Sequence, residues 1–265
     1  MIGAPDRPPG SRAPSARRVL LARAVSALGA AMLAGCDRLS RSEWLPPLLA
    51  LGEKLSSAAQ RGLAPGALAQ EFSVAEISPL FRSNGTSDPD NPDYQAMVDN
   101  RFENWALEVD GLVEQPSRFS LSALRALPAR TQITRHDCVE GWSAIAQWTG
   151  VPLAQVLAHV RPRADARYVV FHCADPMEPD GTGFYYESID LEEAVHPQTL
   201  LAYEMNGERL PVAHGAPLRL RVERQLGYKH AKYLMRIELV ASFAHIAGGR
   251  GGYWEDLGYQ WHAGL

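Results

Sequence analysis

Residues 135–142 constrain this chain most, because they place a single cysteine directly after a strand-like run and directly before a turn. The run covers residues 131–134, Cys138 follows it, and Gly141 allows the backbone to bend sharply behind the cysteine. A thiolate presented on a rigid strand end is a soft, anionic ligand for a high-valent metal. A lone cysteine is also commonly a small buried apolar residue. The residues alone leave both interpretations open.

The segments 136–142 and 148–153 together resemble the sulfite oxidase superfamily of molybdopterin enzymes. The more similar branch is the bacterial one, which includes periplasmic methionine sulfoxide reductases. The resemblance extends from about Phe81 to about Ser242. It implies an α+β fold class, a sheet-rich mixed domain of the sulfite oxidase catalytic (molybdopterin-binding) fold. It also implies a molybdenum–molybdopterin cofactor whose metal is bound by Cys138, which would be the catalytic residue.

The same resemblance implies which other side chains contact the cofactor. These positions are Asn84, Cys173, His214, Arg219, His230 and Lys232. A pterin phosphate requires fixed positive charge, which the arginine and the lysine would supply. Cys173 stands where relatives often carry a threonine. His214 replaces an asparagine of the methionine sulfoxide reductase branch, which places the chain in a neighbouring subfamily.

Several residues in these blocks also have simpler interpretations. Asn84 and Gly85 form a dipeptide that is typical of a tight turn. Arg221, Arg224 and Lys229 lie in the same block as the expected cofactor contacts, and a solvated charged face is the alternative for all three.

Residues 1–35 predict an export signal of the lipoprotein type. Arg17 and Arg18 precede a short apolar run, as in the twin-arginine export motif, and a segment similar to a lipobox ends at Cys36. Asp37 resembles an inner-membrane retention signal. We therefore expect a periplasmic protein that is anchored to the inner membrane by lipidated Cys36. An ordinary signal peptide with a chance cysteine is the alternative.

Length and charge limit the remaining possibilities. The chain has 265 residues, a net charge of −4 and a sequence pI of about 6.1, which argues against nucleic acid as a partner. No long apolar span follows the N-terminus, so we expect no internal membrane helix. Residues 36–77 are expected to form a tether or a lead-in segment. The sequence leaves open whether this segment packs on the enzyme. Residues 78–265 are expected to form the molybdopterin-binding oxidoreductase domain.

Local patterns predict the elements around the expected site. Strands are predicted over residues 105–109, 168–173, 184–189, 199–205 and 233–242. Ser120, Pro152 and Asp190 are start signals for helices that end near residues 127, 160 and 195. The dipeptide Asn206-Gly207 predicts a type I′ hairpin, and the aromatic tail of residues 253–262 is predicted to pack back on the domain.

The resemblance implies a two-electron oxygen-atom transfer at molybdenum. The substrate would be a small or protein-bound sulfoxide, an N-oxide or sulfite. No haem-binding domain or flavin motif is visible, so a membrane haem protein or a soluble cytochrome is expected as the electron partner. Tyr185 or Tyr186 is expected to donate a proton near the metal.

Two other functions remain open from the residues. One is a zinc or copper site formed by His136, Cys138, His172 and Cys173, although their spacing resembles no common zinc pattern. The other is a lipid-anchored binding protein of the same fold without an active metal.

Overall fold

The computed structural model describes residues 51, 52, 55 and 66–264. The chain divides into two compact units, Met1–Leu63 and Ala64–Leu265, and the fold below is that of the second. The expected export signal and the lipidated Cys36 lie outside the described residues. Within the described part, no helix has the length and apolar character needed to cross a membrane.

Two β-sheets, one mixed and one antiparallel, dominate the second unit, as expected for a sheet-rich α+β domain. In chain order the described strands are β1 (Ala106–Gly111), β2 (Ser117–Ser120), β3 (Arg130–Cys138), β4 (Trp142–Pro152), β5 (Tyr168–Pro176), β6 (Phe184–Asp190), β7 (Leu200–Met205), β8 (Glu208–Arg209), β9 (Arg219–Arg221) and β10 (Leu234–Val240). The first sheet has the order β2-β1-β10-β5-β6, and its β1–β10 pair is parallel. The second has the order β3-β4-β7-β8, and β9 also pairs with β7.

The helices are short and lie between the strands. The described α-helices are α1 (Pro92–Asp99), α2 (Leu121–Ala126), α3 (Leu153–Val160), α4 (Leu191–Ala194) and α5 (Tyr253–Asp256). Single 3-10 turns occupy Val74–Glu76, Val212–His214 and Gly227–Lys229.

Predictions that depended on local signals are confirmed. The side chain of Ser120 accepts a hydrogen bond from the Ala123 N–H at the start of α2. Asp190 does the same for the Glu193 N–H at the start of α4. Positive φ angles of 52° and 81° at residues 206 and 207 form the predicted β7–β8 hairpin.

Helix α1 was not predicted, although its sequence carries a start signal. The side chain of Asn91 accepts hydrogen bonds from the N–H groups of Asp93 and Tyr94, and Pro92 occupies the first helical position. Asn91 also donates from Nδ2 to the Ala174 oxygen at 2.8 Å, which attaches the start of α1 to β5.

One hydrophobic core is shared by both sheets. Leu107 and Phe171 come from the first sheet, Val151 and Leu220 come from the second, and all four are fully buried in one cluster. Trp105 belongs to the same cluster, and its indole N–H donates to the Leu234 oxygen at 3.1 Å. The shared core fixes the ends of strands from different sheets relative to each other.

Part of the expected lead-in packs on the domain. The Phe72 N–H donates to the Ile133 oxygen of β3 at 2.9 Å, and the Ala69 N–H donates to the side chain of Gln198 at 2.7 Å. Residues 69–72 therefore continue the edge of the second sheet.

The aromatic tail packs back on the domain, as predicted. The indole N–H of Trp261 donates to the Ser188 hydroxyl at 2.8 Å, and the Tyr228 hydroxyl donates to the Gln260 oxygen at 2.7 Å. The tail also supplies one member of a buried charge cluster, because Glu255 is only 1% exposed.

The buried charge cluster consists of Lys229, Glu187 and Glu255. The Lys229 ammonium lies 2.5 Å from Glu187 Oε1 and 2.6 Å from Glu255 Oε1, and none of the three side chains is more than 1% exposed. Burial raises the pKa of Glu187 well above its usual range, and the charge of Lys229 opposes that effect.

A solvated charged face was the alternative suggested for Arg221, Arg224 and Lys229. The structure shows that this alternative is wrong for two of the three residues. Lys229 and Arg221 are both fully buried, and Arg221 Nη2 lies 2.6 Å from Glu223 Oε2. Arg224 is half-buried and pairs with Glu193 at 2.8 Å. Carboxylates that are distant in sequence supply most of the compensating charge.

We predict that Lys229→Met destabilises the domain by about 3–5 kcal/mol, because it leaves two carboxyl groups buried without a counter-charge. The loss should be larger near pH 8 than near pH 5. At the lower pH the carboxyl of Glu187, whose pKa is already raised, takes up a proton and the buried negative charge disappears. Urea unfolding at both pH values measures the effect.

The matched control is Arg118→Met, which removes an exposed cation. Arg118 lies 3.3 Å from Glu108, and both side chains are largely solvated, so the change in the free energy of unfolding should stay within about 1 kcal/mol. Equal losses in the two variants would contradict the role of burial.

Candidate functional site

One cavity brings together four of the residues expected from the sequence. Its empty volume, including the part that is open to solvent, is ≈ 690 Å³. The four are Asn84, Cys138, His230 and Lys232. The other lining residues are Gly85, Thr86, Val139, Glu140, Asp175, Met177, Tyr185, Gly227, Tyr228, Trp254 and Tyr259.

Cys138 is placed in the cavity by the β3–β4 hairpin. It pairs with Trp142 across the hairpin, and Gly141 turns the chain with a φ of 86°. The thiol is 8% exposed. Burial raises its pKa, while the backbone N–H groups of Val139 and Glu140 act in the opposite direction. The thiol is therefore a ligand that a metal ion would convert to the thiolate on binding.

Two buried cations lie at or behind the cavity without a carboxylate partner in the part of the chain that the structure describes. The guanidinium of Arg219 lies 5.0 Å from the Trp148 ring and donates to the His214 oxygen at 2.9 Å. The Lys232 ammonium donates to the Thr86 oxygen, and to Ser83 Oγ at 3.3 Å.

The electrostatics of these two cations favour an anionic ligand. Burial, followed by the charge of Arg219, lowers the pKa of Lys232 to about 7. Burial, followed by the charge of Arg221, lowers the pKa of Arg219. The pKa values of both cations are lowered because their positive charges are buried and uncompensated. A phosphate or a similar anion binds tightly to such charges where water is largely excluded.

The histidines of the site are neutral near pH 7. Burial, then the charges of Arg219 and Lys232, lowers the pKa of His214 to about 4. Burial lowers the pKa of His230 well below its usual range, and its Nε2 donates to the Gln225 oxygen at 3.0 Å. The positive charge of the site therefore comes from the arginine and the lysine.

Several buried polar atoms around the cavity have no hydrogen-bond partner in the described part of the chain. They are Asn84 Oδ1, Asp175 Oδ1, His136 Nε2, His214 Nδ1 and Arg219 Nε. Leaving such an atom unsatisfied costs about 1–3 kcal/mol. Asn84 and Asp175 line the cavity, so a polar ligand there would satisfy their two oxygen atoms.

Cys173 does not line the cavity. It is 5% exposed and packs in the core shared by the two sheets. Its neighbour His172 lies on the opposite face of β5, where Nε2 is 2.9 Å from Glu238 Oε2. Burial raises the pKa of the Cys173 thiol well above its usual value.

The zinc or copper site is wrong. In the described residues, no group of three or more His, Cys, Asp or Glu side chains is arranged to hold a metal ion. The alternation of β5 explains why, because it directs His172 away from Cys173.

The structure separates the two tyrosines that the sequence could not distinguish. Tyr185 lines the cavity, and its hydroxyl donates to the Tyr228 oxygen. Tyr186 lies on the other face of β6 and donates to Asp256 at 2.6 Å.

The sequence analysis missed much of the cavity mouth. The rings of Trp254 and Tyr259 lie 5.3 Å apart and 31° from parallel, and Tyr228 meets Tyr259 edge-on at 5.3 Å. The aromatic tail was the available signal, but it did not show which rings face the site. Asp175 and Thr86 carried no signal, because each is a single polar residue at the end of an element or in a loop.

Comparison with known proteins agrees with this geometry. The family model for the oxidoreductase molybdopterin-binding domain matches residues 94–245. A putative protein-methionine-sulfoxide reductase subunit YedZ1 from Azospira oryzae is 37% identical over 250 residues, covering 94% of this chain and 88% of that protein. The protein-methionine-sulfoxide reductase catalytic subunit MsrP of Xanthomonas campestris is 39% identical over 165 residues, which cover 59% of this chain.

The chain spans 49% of the length of that Xanthomonas relative. Among solved structures, the sulfane dehydrogenase SoxCD of Paracoccus pantotrophus aligns with a TM-score of 0.48 and 23% identity, over 53% of this chain and 39% of that chain. The family match covers more than half of the present chain and includes Cys138, His230 and Lys232. The chain therefore belongs to the molybdopterin-binding oxidoreductases, and its cofactor is molybdenum–molybdopterin.

Proposed function

We propose that this oxidoreductase reduces sulfoxides, with electrons supplied by a separate haem protein. The observation that carries the proposal is the mouth of the cavity. It is formed by Tyr228, Trp254, Tyr259 and Met177, and no arginine lines the cavity in the described residues. The names of two relatives, both protein-methionine-sulfoxide reductases, support the same substrate class.

The cavity suits a neutral sulfur substrate better than sulfite. Glu140 lines it and repels an anion. Lys232 is the cation in the lining, and in the proposal the phosphate of the cofactor neutralises it, so it does not attract a second anion. Aromatic faces attract polarisable sulfur groups, which favours a sulfoxide with apolar substituents. The sulfoxide of a protein-bound methionine is neutral and carries apolar substituents. An N-oxide is also neutral but lacks the sulfur atom.

The residues behind the mouth fit the cofactor. In the proposal, Cys138 binds the metal, and Arg219 and Lys232 bind the pterin phosphate. Asn84, His214 and His230 contact the pterin, whereas Cys173, which was also expected to do so, packs in the core and is not part of the proposed set. The fit rests on two uncompensated buried cations and on the unsatisfied atoms Asn84 Oδ1 and His214 Nδ1, which a ring rich in nitrogen and oxygen would satisfy. When bound, the cofactor supplies two-electron redox chemistry and an acceptor for the oxygen atom.

The cysteines offer a matched pair of variants. We expect Cys138→Ala to fold but to retain less than about a tenth of the molybdenum of the wild type, because it removes the one thiolate of the cavity. Cys173→Ala should keep its molybdenum, since that thiol packs in the core. Elemental analysis and pterin fluorescence after acid release measure both contents. Full molybdenum in Cys138→Ala would exclude the proposed ligand.

Substrate choice tests the proposed function directly. With a reduced viologen dye as electron donor, the loaded enzyme should reduce methionine sulfoxide. Its kcat/KM for this reaction should exceed that for sulfite oxidation, measured with ferricyanide, by about a hundredfold, equivalent to about 2.7 kcal/mol. The expected reason is repulsion of the anion by the carboxylate of Glu140. Faster turnover of sulfite would overturn the proposal.

We also propose the location and the partner. The twin-arginine pattern at Arg17 and Arg18 supports export of the folded, loaded protein, and the segment ending at Cys36 supports lipid anchoring to the inner membrane. A membrane haem protein or a cytochrome would deliver electrons there. Mass spectrometry of the mature N-terminus decides the anchor, because an unmodified chain that begins elsewhere than Cys36 is incompatible with it.

A further inference from the structure

We propose that Asp175 is a catalytic acid, which donates a proton to the oxygen atom removed from the substrate. The inference rests on the proposed sulfoxide reduction and assigns a residue to it. Asp175 lines the same cavity as Cys138, yet it is 4% exposed. Its Oδ1 is buried and has no hydrogen-bond partner in the described part of the chain. A buried carboxyl oxygen left open toward a cavity is a position for a ligand atom.

The end of β5 explains how the side chain reaches the cavity. The register between β5 and β6 shifts between His172 and Pro176, and such irregularities redirect side chains at strand ends. Two hydrogen bonds fix the backbone of Ala174, the residue before Asp175. The Ala174 N–H donates to the Tyr233 oxygen at 2.9 Å, and the Ala174 oxygen accepts from Asn91.

The surroundings keep a proton on this carboxyl in mildly acidic conditions. Burial raises the pKa of Asp175 to about 6, and its own backbone N–H, the charge of Lys232 and the Thr86 hydroxyl oppose the shift only in part. A general acid is most effective when its pKa lies near the working pH.

The other titratable groups that face Asp175 are neutral. They are Tyr94 of α1, Tyr185 of β6, Tyr233 before β10, and Cys173 of β5. Burial raises the pKa of each of these four groups. Lys232 is thus the charged group facing the carboxyl.

Asp175 is better suited to this step than its neighbour Tyr185. The Tyr185 hydroxyl already donates to the Tyr228 oxygen, and burial raises its pKa well above the ordinary value. A carboxyl with a pKa near 6 releases its proton far more readily than such a phenol.

Reduction of a sulfoxide to a sulfide consumes two electrons and two protons. The sulfur–oxygen bond of the sulfoxide breaks, the proposed haem partner supplies two electrons, and the oxygen leaves as water with two protons. One proton comes from the carboxyl of Asp175, whose O–H bond breaks. The second comes from solvent through the open side of the cavity, and solvent then reprotonates the carboxylate.

The isosteric variant Asp175→Asn tests the inference. It keeps a neutral, hydrogen-bonding side chain but has no transferable proton. We expect unchanged molybdenum and pterin content, a KM within about threefold of the wild type, and a kcat lower by about a hundredfold or more. The wild-type decline in rate as the pH rises above about 6 should be absent in the variant.

The control variant is Asp165→Asn, which removes an exposed carboxylate that lies 3.6 Å from Arg163. It should match the wild type in kcat and pH profile. If fully loaded Asp175→Asn keeps the kcat of the wild type, the inference about Asp175 is wrong and the proposed sulfoxide reduction is unaffected. Loss of the cofactor from that variant overturns it in favour of a role in holding the pterin. No sulfoxide turnover by the wild type overturns both this inference and the proposed function.

Two readouts do not depend on turnover. Infrared spectra should contain the carbonyl band of a protonated carboxyl that titrates near pH 6, and Asp175→Asn should lack it. The folded wild type binds this proton more tightly than the unfolded chain, so its stability falls as the pH rises from about 4 to about 6. The melting temperature of Asp175→Asn should therefore exceed that of the wild type above about pH 6 and not below about pH 4. The inference is contradicted if the wild type lacks the carboxyl band and its melting temperature does not differ from that of Asp175→Asn above about pH 6.

Discussion

Four basic side chains at or behind the cavity are almost completely removed from water: Arg219, Arg221, Lys229 and Lys232. Burial of an ion costs several kcal/mol unless other charges or hydrogen bonds compensate for it. Arg221 and Lys229 meet carboxylates at 2.5 to 2.6 Å and are compensated within the protein. Arg219 and Lys232 contact carbonyl oxygens, hydroxyl oxygens and aromatic rings instead. The fold therefore carries positive charge that an anionic cofactor would neutralise, and binding of that cofactor would add to the stability of the domain.

The site depends on strand ends rather than on helices. Cys138 ends β3 of the second sheet, and Asp175 lies at the end of β5 in the first. The two residues line one cavity because the two sheets share a single hydrophobic core, which fixes their ends relative to each other. Residues on rigid strands are positioned more accurately than residues on loops, and this suits the proposed metal ligand and the proposed acid, which would act on the same substrate.

Features encoded within a few residues could be predicted, and features that join distant segments could not. Ser120 and Asp190 carry their helix-capping signals locally, and Cys138 is marked by its own turn. The burial of Lys229 depends on Glu255, which lies 26 residues further along the chain, so the local run of charges suggested a solvated face. Asp175 was missed for the same reason, since only the fold shows that its carboxyl is buried and incompletely bonded. The resemblance to relatives supplied the candidate residues, four of which line one cavity, and only the chain topology shows which other residues surround them.

The inner wall of the cavity and the tail residues of its mouth come from different parts of the chain. Cys138, Asp175 and Lys232 lie within the residues matched by the family, 94–245, whereas Trp254 and Tyr259 lie beyond them. The mouth nevertheless has a fixed position, because the buried charge cluster and the hydrogen bonds of the tail attach it to the domain. A rigid aromatic mouth over a charged inner wall separates two tasks physically. In the proposal the inner wall binds the cofactor. Within the tail, the exposed Tyr259 can vary with the substrate, whereas Glu255 is fixed by its buried ion pair with Lys229.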